Sequence, residues 1–155
     1  MKNVFYLAIV LLGVLSSCTS KTEVASPNSN IKWSLNLDEK GAMTYQVTVN
    51  DQPFILPSTL GFEEKSGLNL KDGFQVVNTT FDSQDETWTQ PWGENKSIRS
   101  HYNEMAVNLQ NEAGVKLTVR VRVFDDGLGF RYEYDTPADS LLLMDEYTSF
   151  NIAED

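Results

Sequence analysis

The chain has 155 residues, enough for one domain and too few for two sizeable ones. Apolar residues make up 41%, an ordinary globular share, so a packed core is within reach. The formal net charge of -10 repels phosphate backbones and anionic membrane surfaces, which argues against nucleic acid as a partner.

Lys2 gives the amino terminus a positive start, and an apolar run from Val4 to Leu15 follows, broken only by Gly13. That run is too short for a permanent membrane span and suits a signal peptide. Leu15-Ser16-Ser17-Cys18 then matches the bacterial lipobox pattern, with small residues ahead of the cysteine. In that reading Cys18 becomes the first mature residue and carries acyl chains, several of which anchor far more firmly than one. Cys18 is also the only cysteine, so no disulfide forms within the chain. Thr19 to Asn30 is small and polar, as a flexible tether would be. The expected organisation is a signal peptide over 1–17, a lipid-anchored tether over 18–30 and a β domain over 31–155. The location expected is exported, periplasm-facing or at the outer membrane.

The remainder reads as short alternating segments between turns. Ile31, Trp33, Leu35 and Leu37 alternate with polar residues, Asp38-Glu39-Lys40-Gly41 turns the chain, and Met43, Tyr45, Val47 and Val49 resume the alternation. Asn50-Asp51-Gln52-Pro53 turns again before the apolar Phe54-Ile55-Leu56. Pro57 to Lys71 is less regular, and Phe74 to Phe81 predicts a strand. Between Asp82 and Ser100 the alternation vanishes, which predicts a long structured loop. Met105, Val107 and Leu109, then Val115 through Val123, then Phe130, Tyr132 and Tyr134 form a three-stranded meander around the turns Asn111–Gly114 and Asp125–Gly127. Ser140 to Glu146 suits a single helical turn. Seven or eight short strands at this spacing predict an all-β, antiparallel β-sandwich.

No G-x-S-x-G pattern and no H-E-x-x-H pattern occurs, and the single histidine, His101, lacks metal-ligand context. Asp125-Asp126 before Gly127 serves a turn. No catalytic or metal-binding residue is therefore assigned. The densest segment runs from Glu86 to Glu94 and holds Trp88 and Trp92. Tryptophan faces beside carboxylates suit sugar recognition, because the ring packs on the C–H face of a pyranose while polar groups fix the hydroxyls. The same residues equally suit a loop pinned to the sandwich or to a neighbouring domain. Arg99, His101 and Asn103 alternate, so they share one strand face, as a buried polar network or as a ligand-facing cluster.

These stretches resemble the amino-terminal domain of glycoside hydrolase family 97. The matching residues are Leu56–Phe62, Glu86-Thr87-Trp88 through Trp92-Gly93-Glu94, Ile98–Glu104 and Arg122–Glu133, in family order along nearly the whole mature chain. Members are exported α-glucosidases and α-galactosidases common in Bacteroidetes. The resemblance implies a mutarotase-like super-sandwich, here incomplete at its C-terminal end, followed by a catalytic (β/α)₈ barrel. In the family, inverting members use glutamates and calcium and retaining members an aspartate nucleophile. A barrel needs roughly 200 residues or more, so the catalytic and calcium-binding carboxylates map to no residue of this chain. The resemblance implies a non-catalytic portion of an α-glycosidase, with Trp88, Trp92, Glu94, Arg99, His101 and Asn103 at a carbohydrate or domain interface. Its partners would be an α-glucan or α-galactoside oligosaccharide, the barrel, and the membrane through the anchor. The alternatives are a stand-alone carbohydrate-binding lipoprotein or an inactive structural fragment.

Overall fold

The computed structural model describes residues 21–134 and 140–154. Cys18 and the leader lie outside the described residues.

Each alternating segment becomes a strand because one set of side chains leaves water while the other stays in it. β1 (Glu23–Ala25), β2 (Ile31–Leu37), β3 (Met43–Val49) and β4 (Gln52–Thr59) form one antiparallel sheet in that order. The register sets Trp33 opposite Val47 and Leu35 opposite Tyr45. A second sheet runs β10-β9-β8-β7, from β7 (Phe74–Thr89), β8 (Ser97–Asn111), β9 (Lys116–Phe124) and β10 (Leu128–Tyr134). β5 (Phe62–Glu64), β6 (Asn69–Leu70) and β11 (Leu143–Glu146) make a small third sheet with β5 in the middle. No helix occurs among the described residues, and the architecture is the expected antiparallel β-sandwich.

The core lies between the two large sheets. Trp33, Leu35, Met43, Tyr45 and Val47 face Met105, Val107, Leu109, Leu117, Val119, Val121 and Val123, with Leu60, Phe62 and Leu70 closing one end. The turns are set by local chemistry. The Asp38 carboxylate accepts from the Lys40 and Ala42 amides at 2.8 Å each. Gly41 sits at φ 72°, and a Cβ there would lie 2.5 Å from the Phe74 backbone nitrogen, so only glycine fits where this turn meets the start of β7. Asn50 and Asp51 take φ of 51° and 62°, the two positive values that a two-residue hairpin loop demands.

Four expectations need correction. Part of the tether expected over 18–30 is ordered: Val24 is buried opposite Trp33, and Ser26 and Ile31 exchange hydrogen bonds. A single apolar residue in a polar run gave no alternation to detect. The loop expected over Asp82–Ser100 is instead mostly strand, with β7 and β8 paired as far as Thr89 opposite Ser97. β9 follows β8 only to Tyr102 opposite Phe124, so the distal ribbon stands clear of the sheet. With solvent on both faces it has no reason to alternate. Ser140–Glu146 forms no helical turn; Leu143–Glu146 is β11, paired with β5. Pro57–Lys71 contributes the end of β4 and the short strands β5 and β6.

Candidate functional site

The distal β7–β8 ribbon carries every site residue expected of the mature domain, and its register decides which of them meet. Residues directly opposite in an antiparallel pair share a face. Thr87 opposite Arg99, Asp85 opposite His101 and Ser83 opposite Asn103 define one face. Trp88 opposite Ile98, Glu86 opposite Ser100 and Gln84 opposite Tyr102 define the other. Trp88 therefore lies on the face opposite Arg99, His101 and Asn103, and the six residues do not form one site.

On the first face each polar residue has its own partner. Arg99 donates to both Asp85 oxygens at 2.7 Å. The hydrogen bond from Arg99 holds the Asp85 carboxyl below its ordinary range. His101 Nδ1 lies 3.9 Å from Asp125 Oδ2, and Asp125 Oδ1 accepts the Asn28 amide at 2.8 Å. Asn103 donates to the Ala25 carbonyl at 2.9 Å, tying the ribbon base to β1. Arg99 is exposed and the other two are half-buried, so the set is three separate contacts rather than a buried network.

The tip is different. Gln90 and Lys96 close the turn, with the Gln90 amide donating to the Lys96 carbonyl at 3.1 Å and Gln90 Nε2 donating to the Asn95 carbonyl at 2.8 Å. Trp88 is 47% exposed and Trp92 85%, with Glu94 also in solvent. Neither tryptophan pins the tip to the sandwich. The Trp88 face runs back along β8 to Tyr102, whose ring stacks 5.1 Å from Phe124 and lies 4.6 Å under the Arg122 guanidinium.

That outer face also holds an ionic network absent from the expected site. Glu104 accepts from Arg120 at 2.5 Å and Arg122 at 2.6 Å, and Glu133 accepts from Arg120 at 2.6 Å and Arg131 at 2.7 Å. Burial alone would raise the Glu104 carboxyl, but the Arg122 and Arg120 hydrogen bonds outweigh it and hold it below its usual range. The Arg120 hydrogen bond, with help from Arg131 against burial, brings Glu133 down to about 2. The alternation Arg120, Arg122 against Glu104 and Glu133 was visible in the sequence; only the register shows that they meet.

Among the described residues no group of three or more His, Cys, Asp or Glu is arranged to hold a metal ion. The residues present do not fit the family's calcium, and no step through a metal is assigned.

Residues 24–155 match the sequence profile of the glycosyl-hydrolase 97 N-terminal domain. Among solved structures, a glycoside hydrolase family 97 enzyme from Pseudoalteromonas sp. strain K8, in complexes with panose and with acarbose, superposes at TM-score 0.77 with 31% identity. The match covers 84% of this chain and 20% of that enzyme, so the chain spans about one fifth of its length. A β-arabinopyranosidase shares the fold at TM-score 0.76 and 23% identity, over 85% of this chain and 21% of that one. With its sandwich and its ribbon both in family register, the chain belongs to glycoside hydrolase family 97 and carries its N-terminal domain.

Proposed function

We propose that this domain is the N-terminal, non-catalytic sandwich of an exported α-glycosidase acting on α-glucosides or α-galactosides. In that role the ribbon tip with Trp88, Trp92 and Glu94 contacts carbohydrate at the rim of a barrel's cleft. The observation that carries the reading is the pair of tryptophans left in solvent, since a large ring outside the core gains nothing for folding. The oligosaccharides bound by the Pseudoalteromonas relative support the ligand class.

A chimera tests this, with residues 24–155 replacing the matching segment of the Pseudoalteromonas enzyme. The chimera is expected to turn over panose. Trp88→Ala and Trp92→Ala are each expected to lower kcat/KM at least about tenfold, or about 1.4 kcal/mol. Unfolding free energy should stay within about 0.5 kcal/mol, because both rings are exposed. Unchanged kcat/KM in both variants rejects sugar contact, and an inactive but folded chimera rejects the hydrolase role.

Export and lipid attachment belong to the same proposal, on the strength of the run from Val4 to Leu15 and of Cys18. Cys18→Ser is expected to move the chain from the membrane to the soluble fraction. Retention in the membrane would count against the anchor.

A further inference from the structure

One side of the sandwich is open between two strand edges. β10 is the outermost strand of the second sheet, and no described residue extends the ladder beyond it. Phe124 donates to the Gly127 carbonyl at 2.8 Å, which makes these residues a hydrogen-bonded pair at the head of the β9–β10 hairpin. Antiparallel pairs alternate between bonded and non-bonded, so the N–H and C=O groups of Leu128, Phe130 and Tyr132 turn away from β9. The side chains of these same residues line a groove of about 540 Å³, together with Thr148 and Phe150.

The far lip of the groove is also an edge. Residues 147–153 run beside β4: Tyr147 donates to Gly61, Ser149 to Thr59 and Ala153 to Phe54, all at carbonyls, while Asn151 donates to Ser58 Oγ. The intervening Thr148 and Phe150 amides point the other way, towards the groove. Tyr132 Oη and Thr148 Oγ1 meet at 2.8 Å across it, and the buried Tyr45 ring lies beneath, 5.4 Å from Phe130 and 6.2 Å from Phe150. Phe150 is left 61% exposed. An edge with unpaired amides above an apolar floor is a template for another strand.

We propose that β10 receives a further strand of the same polypeptide, from beyond residue 155, whose alternate apolar side chains fill the groove over Phe130, Tyr132 and Phe150. This rests on the reading that the chain is the N-terminal part of a longer hydrolase. The length supports that occupant, since the chain spans only 20% of its family relative. A sugar would leave most of the edge amides unmatched, whereas a strand satisfies them along the whole lip.

Amide hydrogen exchange resolved by residue tests the proposal, on the chain alone and on the chimera described above. In the chain alone, Leu128, Phe130 and Tyr132 are expected to exchange at least about tenfold faster than Gly129 and Arg131, whose amides face β9. In the chimera their protection is expected to rise at least about tenfold. A chimera that turns over panose while these amides stay fast overturns the strand and leaves the hydrolase reading intact. A folded, inactive chimera that protects them does the reverse. Protection in the chain alone that grows with concentration assigns the edge to a second copy and overturns the proposal. If the chimera does not fold, the same measurement on the matching strand of the Pseudoalteromonas enzyme decides: fast exchange there overturns it.

Discussion

Replacing Trp33 by alanine is expected to cost about 4 kcal/mol of unfolding free energy, within the range for deleting a buried aromatic ring. The side chain is fully buried at the centre of the first sheet's inner face. It stacks 6.0 Å from Tyr45 and lies 6.4 Å from Phe130, so its loss opens a void shared by both sheets. The site has little freedom to collapse, because neighbouring Leu35, Met43 and Val47 are held in strand register. Trp33→Phe discriminates between packing and polarity. The indole Nε1 is buried without a hydrogen-bond partner among the described residues, so phenylalanine removes an unmatched donor while keeping much of the ring. Its cost should be well under half that of alanine. Urea titration of the two variants checks both, and equal losses would show that the lost volume is not what matters.

Trp33 also illustrates what the sequence made legible. Alternation finds a strand wherever one face meets a core, and β2, β3, β8, β9 and β10 were all visible in that way because their inner residues share one buried cluster. The method fails where that asymmetry is missing. The outer halves of β7 and β8 have no core on either side, so Asp82–Ser100 looked like loop although it is paired as far as Thr89 and Ser97. β1 fails for the opposite reason, since three residues are too few to show a period. The site followed the same logic. Trp88 and Trp92 were identifiable from their residue types, but placing Trp88 with Arg99 and His101 needed the cross-strand register, and the register separates them. Glu104 looked like one more solvated position until β9 supplied two arginines beside it.

That carboxylate sets the second large effect. Glu104→Ala is expected to cost about 3 kcal/mol, near the low end for breaking a buried ion pair, because Arg122 keeps access to water while Arg120 is mostly enclosed. Glu104→Gln should recover part of the loss by retaining an acceptor for one guanidinium. The pH dependence has a definite sign. Glu104 and Glu133 are both depressed in the folded state, Glu133 to about 2, so their contribution is complete above the ordinary carboxylate range. It is lost as pH falls through that range towards about 2, when protons taken up by the unfolded chain pull the equilibrium away from the fold. Urea midpoints for the parent should therefore drop steeply between about pH 5 and pH 3. The Glu104→Ala midpoint starts lower and should fall less over the same interval, because one depressed carboxyl is gone. Parallel curves for parent and variant would mean that Glu104 is not linked to acid stability. The outer sheet face would then owe its order to the Tyr102–Arg122 stack and to backbone pairing alone.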